Sequence, residues 1–164
     1  MKEKPSTAGE QFAIRDYRAS DFERLWQIDQ VCFPEGIAYT QMDLTGFLVQ
    51  RNAIALVAES QPAVGTAADA IVGYVIAHRR KNVGRIMTLD VLPQARGFGL
   101  GSRLMEICEQ RLRSSSCDLV YLETAVNNEP ALRLYQKLGY EILRTIPEYY
   151  SSHALDAFRM GKRL

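Results

Sequence analysis

The residues of this 164-residue chain best suited to chemistry begin with one short run, Val91-Leu92-Pro93-Gln94-Ala95-Arg96-Gly97-Phe98-Gly99-Leu100-Gly101. There a β-rich stretch turns through glycines into a helical period. Glycine carries no Cβ to cover successive backbone N–H groups, and the start of a helix adds a positive partial charge, so the run is suited to phosphate oxygens. A plain glycine-rich connector is the structural alternative. A nucleotide-triphosphate loop is excluded because no Gly-Lys-Ser or Gly-Lys-Thr follows. A dinucleotide fingerprint finds Gly97-x-Gly99, and Glu123 ends a later strand where a ribose-binding acid would sit. Against it, Ser102 stands at the third glycine position, Pro93 and Arg96 precede the first, and the turn does not open the first strand-helix-strand unit.

A second constellation follows: Leu122-Glu123-Thr124, then Asn127-Asn128-Glu129-Pro130-Ala131, then Leu134-Tyr135-Gln136-Lys137-Leu138-Gly139-Tyr140. Structural roles exist for most of it. Asn127 or Asn128 can cap a helix whose first turn holds Pro130, and Tyr135 falls on that helix's apolar stripe. Glu123 is harder to explain structurally, because it follows four apolar residues in a short buried strand and needs a partner or a wet cavity.

These residues need elements to hold them. Phe12, Ile14 and Tyr17 suggest a first strand, and Ser20-x-x-Glu23 has the spacing of a capping box before a helix carrying Phe22, Leu25, Trp26 and Cys32. Pro34 lies past its end. Thr40 can cap a second, short helix with Leu44, Phe47 and Leu48. Ile54–Glu59, Ile71–Arg80 and Arg85–Leu92 then read as an antiparallel meander, with a Pro, Gly and Ala-rich connector after the first and a turn at Asn82-Val83-Gly84. From Gly97 the period becomes helical: Leu100, Leu104, Ile107, Cys108 and Leu112 share a face, while Arg103, Glu106, Glu109 and Arg113 point to water. Leu119–Thr124 is a strand, Ala131, Leu134, Tyr135 and Leu138 mark a helix ended by Gly139, and strands near 141–146 and 154–160 close the chain. The expected class is α+β, a sheet with helices on both faces.

Residues 1–11 lack an apolar period and are expected to form a loose, disordered tail, with residues 12–164 a single domain. Apolar residues make up 47% and charged residues 24%, an ordinary globule, and the formal charge of +1 disfavours a partnership with nucleic acid or an anionic membrane. No apolar run approaches the roughly 20 residues of a bilayer span, so a soluble, cytoplasmic protein is expected. Cys32, Cys108 and Cys117 are irregularly spaced and only His78 and His153 could join them, so no metal site and reduced thiols are expected.

The glycine turn resembles the acetyl-CoA signature of the GCN5-related N-acetyltransferases (GNAT), a Val, four residues, then Gln or Arg-x-x-Gly-x-Gly or Ala, matched by Val91, Arg96, Gly99 and Gly101. The order of elements from Phe12 onward is also similar to that family's. The resemblance implies a GNAT fold: a mixed, mostly antiparallel sheet of about seven strands and about four helices. It implies acetyl-CoA as donor, held by Leu89, Val91, Arg96, Gly97, Phe98, Gly99, Leu100, Gly101, Ser102 and Asn128. The second constellation is similar to that of the bacterial ribosomal-protein N-terminal acetyltransferases, RimI-like enzymes. By that resemblance Glu123 is a general base and Tyr135 the acid that protonates the departing thiolate. The same likeness extends to Cys32-Phe33-Pro34 and to Tyr149-Tyr150 with Asp156-Ala157 and Met160, and implies that Phe33, Pro34, Tyr39, Tyr149 and Tyr150 flank the acceptor.

The chain departs from that pattern in three places. Thr124-Ala125 replace an Arg after Leu-Glu, a glycine before Asp-Ala is absent, and Gly36-Ile37-Ala38 lengthen the first loop. The implied acceptor is an amine, most simply a protein N-terminus, for a monomer or homodimer. The open alternatives are a small-amine acetyltransferase, for a polyamine or an antibiotic, and a non-catalytic acetyl-CoA-binding module.

Overall fold

A computed structural model describes residues 11–61 and 69–164, so residues 1–10 of the expected tail and most of the connector after the second strand lie outside the described residues. The order is β1 (Phe12–Asp16), α1 (Phe22–Cys32), α2 (Gln41–Leu48), β2 (Ala53–Ser60), β3 (Ile71–Arg80), β4 (Val83–Val91), α3 (Leu100–Ser114), β5 (Leu119–Ala125), α4 (Glu129–Lys137), β6 (Glu141–Tyr150) and β7 (Leu155–Arg163). The strands form one seven-stranded sheet in the order β1-β2-β3-β4-β5-β7-β6.

The expected meander is present, β1 to β4 pairing antiparallel in sequence. Ile71 to Ala77 of β3 are all buried, so both faces of the sheet are covered here. Helices α1 and α3 each pack on β3 and β4. Leu25 and Ile28 of α1 and Leu100, Leu104, Met105, Cys108 and Leu112 of α3 supply the core, each fully buried aliphatic side chain contributing about 1.5–3 kcal/mol. Cys108 and Cys117 are buried thiols and Cys32 is half-buried, all unpaired. Among the described residues no helix is long and apolar enough to cross a membrane.

Three local expectations are corrected. The Ser20-x-x-Glu23 capping box does not form. Instead a 3-10 turn at Ala19–Asp21 precedes α1, and the Asp21 carboxylate accepts from the Arg18 N–H at 2.8 Å while pairing with Arg15. The capping position is thereby shifted two residues earlier, to Arg18, with Asp21 in place of Glu23 as the acid that reaches back. Glu109 does not face water: it is buried and accepts from the Tyr140 hydroxyl and the Lys162 ammonium, each at 2.8 Å. Those partners come from later elements, so the helical period alone could not show them. The strands at the C-terminal end run further than their apolar residues suggested, to Tyr150 and Arg163, because ladder hydrogen bonds to a neighbouring strand do not depend on side-chain polarity.

Candidate active site

The glycine turn is formed as its sequence requires. Gly97 and Gly99 have φ of +85° and +78°, where a Cβ is strained, and Gly99 is the N-cap of α3. The first helical bond runs from the Arg103 N–H to the Gly99 carbonyl, so the amides just before it have no helical acceptor. A Cβ on Gly101 would come within 3.3 Å of the Leu134 side chain. Arg96 folds back, its Nε donating to the Val91 carbonyl at 2.8 Å. The result is a cavity of about 360 Å³ walled by Leu89, Val91, Arg96, Gly97, Gly99, Leu100, Gly101, Ser102 and Asn128. Phe98 is outside it. Its ring turns to pack edge-on against Phe12, 6.1 Å between centroids, because the two flanking glycines leave its side chain on the outer side of the turn.

A second cavity opens where β4 and β5 part. The two strands pair in parallel only between Val83–Arg85 and Leu119–Tyr121. Beyond that they separate, and β4 carries a bulge opposite Ile76 and Ala77 that leaves Met87 unpaired. The resulting space of about 420 Å³ is lined by Phe33, Pro34, Tyr39, Glu123, Tyr135 and Tyr150 among others. Leu89, Asn128 and Tyr135 line both cavities, so a group held in one is presented to the other.

Glu123 is on the wall of the second cavity with its side chain 3% exposed. Arg159 donates to Oε1 through Nε at 3.1 Å and Nη2 at 2.7 Å, and Arg85 donates to Oε2 through Nε at 3.3 Å. Three of the roughly four acceptor sites of a carboxylate are thereby used, leaving about one for another donor. The two guanidiniums come from β4 and β7, the strands on either side of β5. Tyr135, on the buried face of α4, packs at 5.8 Å against the Tyr140 ring. Burial and the nearby Asp90 carboxyl push its hydroxyl well above the usual phenol range, so it keeps its proton. Asn128 spends its side chain as the cap of α4, accepting from the Ala131 N–H at 3.4 Å, and reaches the junction as part of that helix start.

Two loops roof the second cavity. The residues after α1 meet the β6–β7 turn, where Ser152 donates to the Gly36 carbonyl at 2.9 Å and the His153 ring lies 2.7 Å from the Glu35 carbonyl. Tyr39 anchors the first loop: its N–H donates to Asp29 at 2.7 Å, its carbonyl accepts from Gln30 at 2.9 Å, and its hydroxyl donates to the Met87 carbonyl at 3.2 Å. Burial, then the neighbouring Tyr149, pushes the Tyr150 hydroxyl up to about 12. Tyr149, expected beside the acceptor, does not line the cavity. It is 40% exposed and its hydroxyl accepts from Arg85 at 3.3 Å, since successive strand residues point to opposite faces.

Several residues of the site escaped the sequence reading. Arg85 and Arg159 left no local signal. Nothing in the sequence near His153 points to its contact with the Glu35 carbonyl. Asp90 did leave a signal: it lies in the buried phase of a strictly alternating strand, with Gly84, Ile86 and Thr88.

The profile of the Acetyltransferase (GNAT) family matches residues 22–140. The chain is 27% identical to an N-alpha-acetyltransferase of Sulfurisphaera tokodaii, over 95% of each chain. Its fold is similar to that of the ribosomal-protein-S18-alanine N-acetyltransferase of Escherichia coli, with a TM-score of 0.79 at 18% identity over 93% of both chains. It is also similar in fold to Arabidopsis thaliana NAA60 in complex with acetyl-CoA, with a TM-score of 0.81 at 21% identity over 93% of this chain and 99% of that one. An amide-lined turn opening a helix, a parted strand pair beside it and a family match across both place this chain in the GNAT family as an N-acetyltransferase.

Proposed function

We propose that the enzyme transfers the acetyl group of acetyl-CoA to the α-amine of a protein N-terminus, such as that of a ribosomal protein, by direct attack of the amine on the thioester. The observation that carries this reading is the meeting of the two cavities at Tyr135. The amides of the glycine turn would bind the coenzyme's diphosphate, and the roofed cavity between β4 and β5 would receive the chain end. Holding both reactants there removes much of the entropic barrier. The relative in Sulfurisphaera tokodaii carries the name N-alpha-acetyltransferase, and NAA60 was solved with acetyl-CoA, which supports the same donor here.

An N-terminus also suits the site's acid–base groups. An α-amine has a pKa of about 7.7 to 8.0, so roughly a tenth is neutral at pH 7, whereas a lysine at about 10.4 is neutral in fewer than one molecule in a thousand. An N-terminus therefore needs only modest help from a base. Glu123 is committed to Arg85 and Arg159 but keeps an acceptor position, and acts by taking a hydrogen bond from the amine directly or through a water. Tyr135 donates to the departing sulfur. Its raised pKa makes full proton transfer to a thiolate of about 8.5 uphill, so the proton lost by the amine must restore the hydroxyl. A backbone N–H beside the β4 bulge would polarise the thioester carbonyl.

The test is release of free thiol from acetyl-CoA against short peptides with different first residues, with polyamines and aminoglycosides in parallel, and mass spectrometry to locate the acetyl group. Acetylation at the α-nitrogen of a peptide is expected. Turnover with small amines alone would replace this reading, and coenzyme binding without thiol release would leave only a binding module.

A further inference from the structure

Two carboxylic acids lie buried where α1 packs on β4, and among the described residues neither has a countercharge. Asp29, in the last turn of α1, is fully buried, and Asp90, near the end of β4, is 1% exposed. Asp29 Oδ2 accepts from the Tyr39 N–H at 2.7 Å and from the Gln30 amide at 3.3 Å, and Asp90 Oδ1 accepts from the Thr88 hydroxyl at 2.5 Å. The remaining oxygens, Asp29 Oδ1 and Asp90 Oδ2, and the Tyr74 hydroxyl beside them are buried with no hydrogen-bond partner of standard geometry. Among the described residues no lysine or arginine pairs with either acid. The guanidinium of Arg96 reaches only as far as the Cys32 sulfur, at 3.8 Å. The other titratable groups facing the pair are Cys32 from α1, Tyr74 from β3, Tyr39 from the acceptor loop and Tyr135 from α4, and burial with these carboxyls raises the pKa of each.

Each of these carboxyls acts on the ionisation of the other, and two such groups in one buried place cannot both be ionised at tolerable cost. One proton resolves every orphan: it makes one acid a donor to the other and leaves an acceptor for the Tyr74 hydroxyl. We infer that Asp29 and Asp90 share one proton and act as a positioning pair, locking the acceptor loop through Tyr39 onto the strand that carries Leu89 and Val91. Burial holds both carboxyls above the usual carboxylate range, and the Asp29 charge pushes Asp90 up further. Loss of the shared proton at alkaline pH would set two buried charges against each other and break the Asp29–Asp90 hydrogen bond that ties α1, and through it the Tyr39 loop, to β4. That alkaline loss is opposite in sign to the gain from deprotonating the acceptor amine. The kinetic consequence rests on the acceptor reading above; the shared proton does not.

Infrared difference spectra of the full-length protein should show the carbonyl stretch of a buried protonated carboxyl at neutral pH, bleaching as pH rises and absent in Asp90→Asn. The raised folded pKa means the folded state binds more protons, so stability should fall as pH climbs from the ordinary carboxylate range to the raised one. The double variant D29N/D90N should lose that slope. Asp29→Ala should raise the acceptor KM roughly tenfold while the acetyl-CoA KM stays unchanged. Asp29→Asn, whose amide can accept from Tyr39 and donate to Asp90, should restore the acceptor KM. Asp90→Asn should abolish the alkaline fall in acceptor kcat/KM. Should Asp29→Ala fail to fold, the two asparagine variants decide. A missing carboxyl band in the wild type, an unchanged pH slope in the double variant, or Asp29→Asn as impaired as Asp29→Ala would overturn the inference. If no peptide is acetylated, the infrared band and the unfolding slope still decide the shared proton.

Discussion

The glycine turn, proposed to hold the coenzyme, and the cavity between β4 and β5, proposed to receive the acceptor, lie side by side yet are built differently. The turn is one contiguous run, Val91 to Ser102, whose proposed binding groups are backbone amides and whose shape depends on glycines at φ of +85° and +78°. The acceptor cavity is assembled from α1 and its following loop, β4, β5, α4 and the β6–β7 turn, held by contacts such as His153 to Glu35, 118 positions apart. Backbone chemistry tolerates change in side chains, and side-chain chemistry tolerates change in loops. The donor half should therefore fail through conformation and the acceptor half through the loss of single groups.

The largest effect is expected where the halves meet. Tyr135→Phe should lower kcat by about a hundredfold or more while the acetyl-CoA Kd, measured by calorimetry, stays put. A loss under tenfold would make Tyr135 a packing residue. Within the donor half, Gly99→Ala costs about 1–2 kcal/mol of left-handed strain. It should weaken acetyl-CoA binding roughly tenfold and leave the acceptor KM alone, and an equal change in both would erase the distinction between the halves.

Within the acceptor half, Glu123→Gln should cost at most about tenfold in kcat/KM at pH 7, because roughly a tenth of an α-amine is already neutral. The deficit should vanish above about pH 8 as the amine deprotonates unaided, moving the pH–rate profile toward alkali. A profile of unchanged shape would remove Glu123 from the mechanism. The smallest effect is expected at the roof. Ser152→Ala deletes one exposed hydrogen bond to the Gly36 carbonyl and should raise the acceptor KM only about two- to fivefold, with kcat unchanged.

How much of this could be read beforehand follows the same division. The turn, the Asn128 cap, Pro130 in the first turn of α4 and Gly139 past its end all stand as expected, since each depends on residues a few positions away. Phe98 shows the limit even there, because which side of the turn a side chain takes depends on φ and ψ at each neighbour. Glu109 shows it in a helix. Its position is polar by sequence and falls on the solvent side of the period, yet Tyr140 and Lys162 arrive from α4's end and β7 to bury it. Asp90 was legible in principle as an acid in the inward phase of β4, but its partner Asp29 was not, because nothing local in α1 points to a strand more than fifty residues on.

By itself the sequence determined most local devices of this enzyme: amphipathic stripes, the Thr40 and Asn128 caps, glycine conformations and the amide-lined turn, all governed by short-range sterics and hydrogen bonding. Only the tertiary structure decided where β4 and β5 separate, which arginines hold Glu123, that Tyr135 belongs to both cavities, and that two acids meet beneath them. Those outcomes depend on packing between distant segments, as in the Arg85 and Glu123 contact across 38 positions, and side-chain period carries no record of which surfaces will meet.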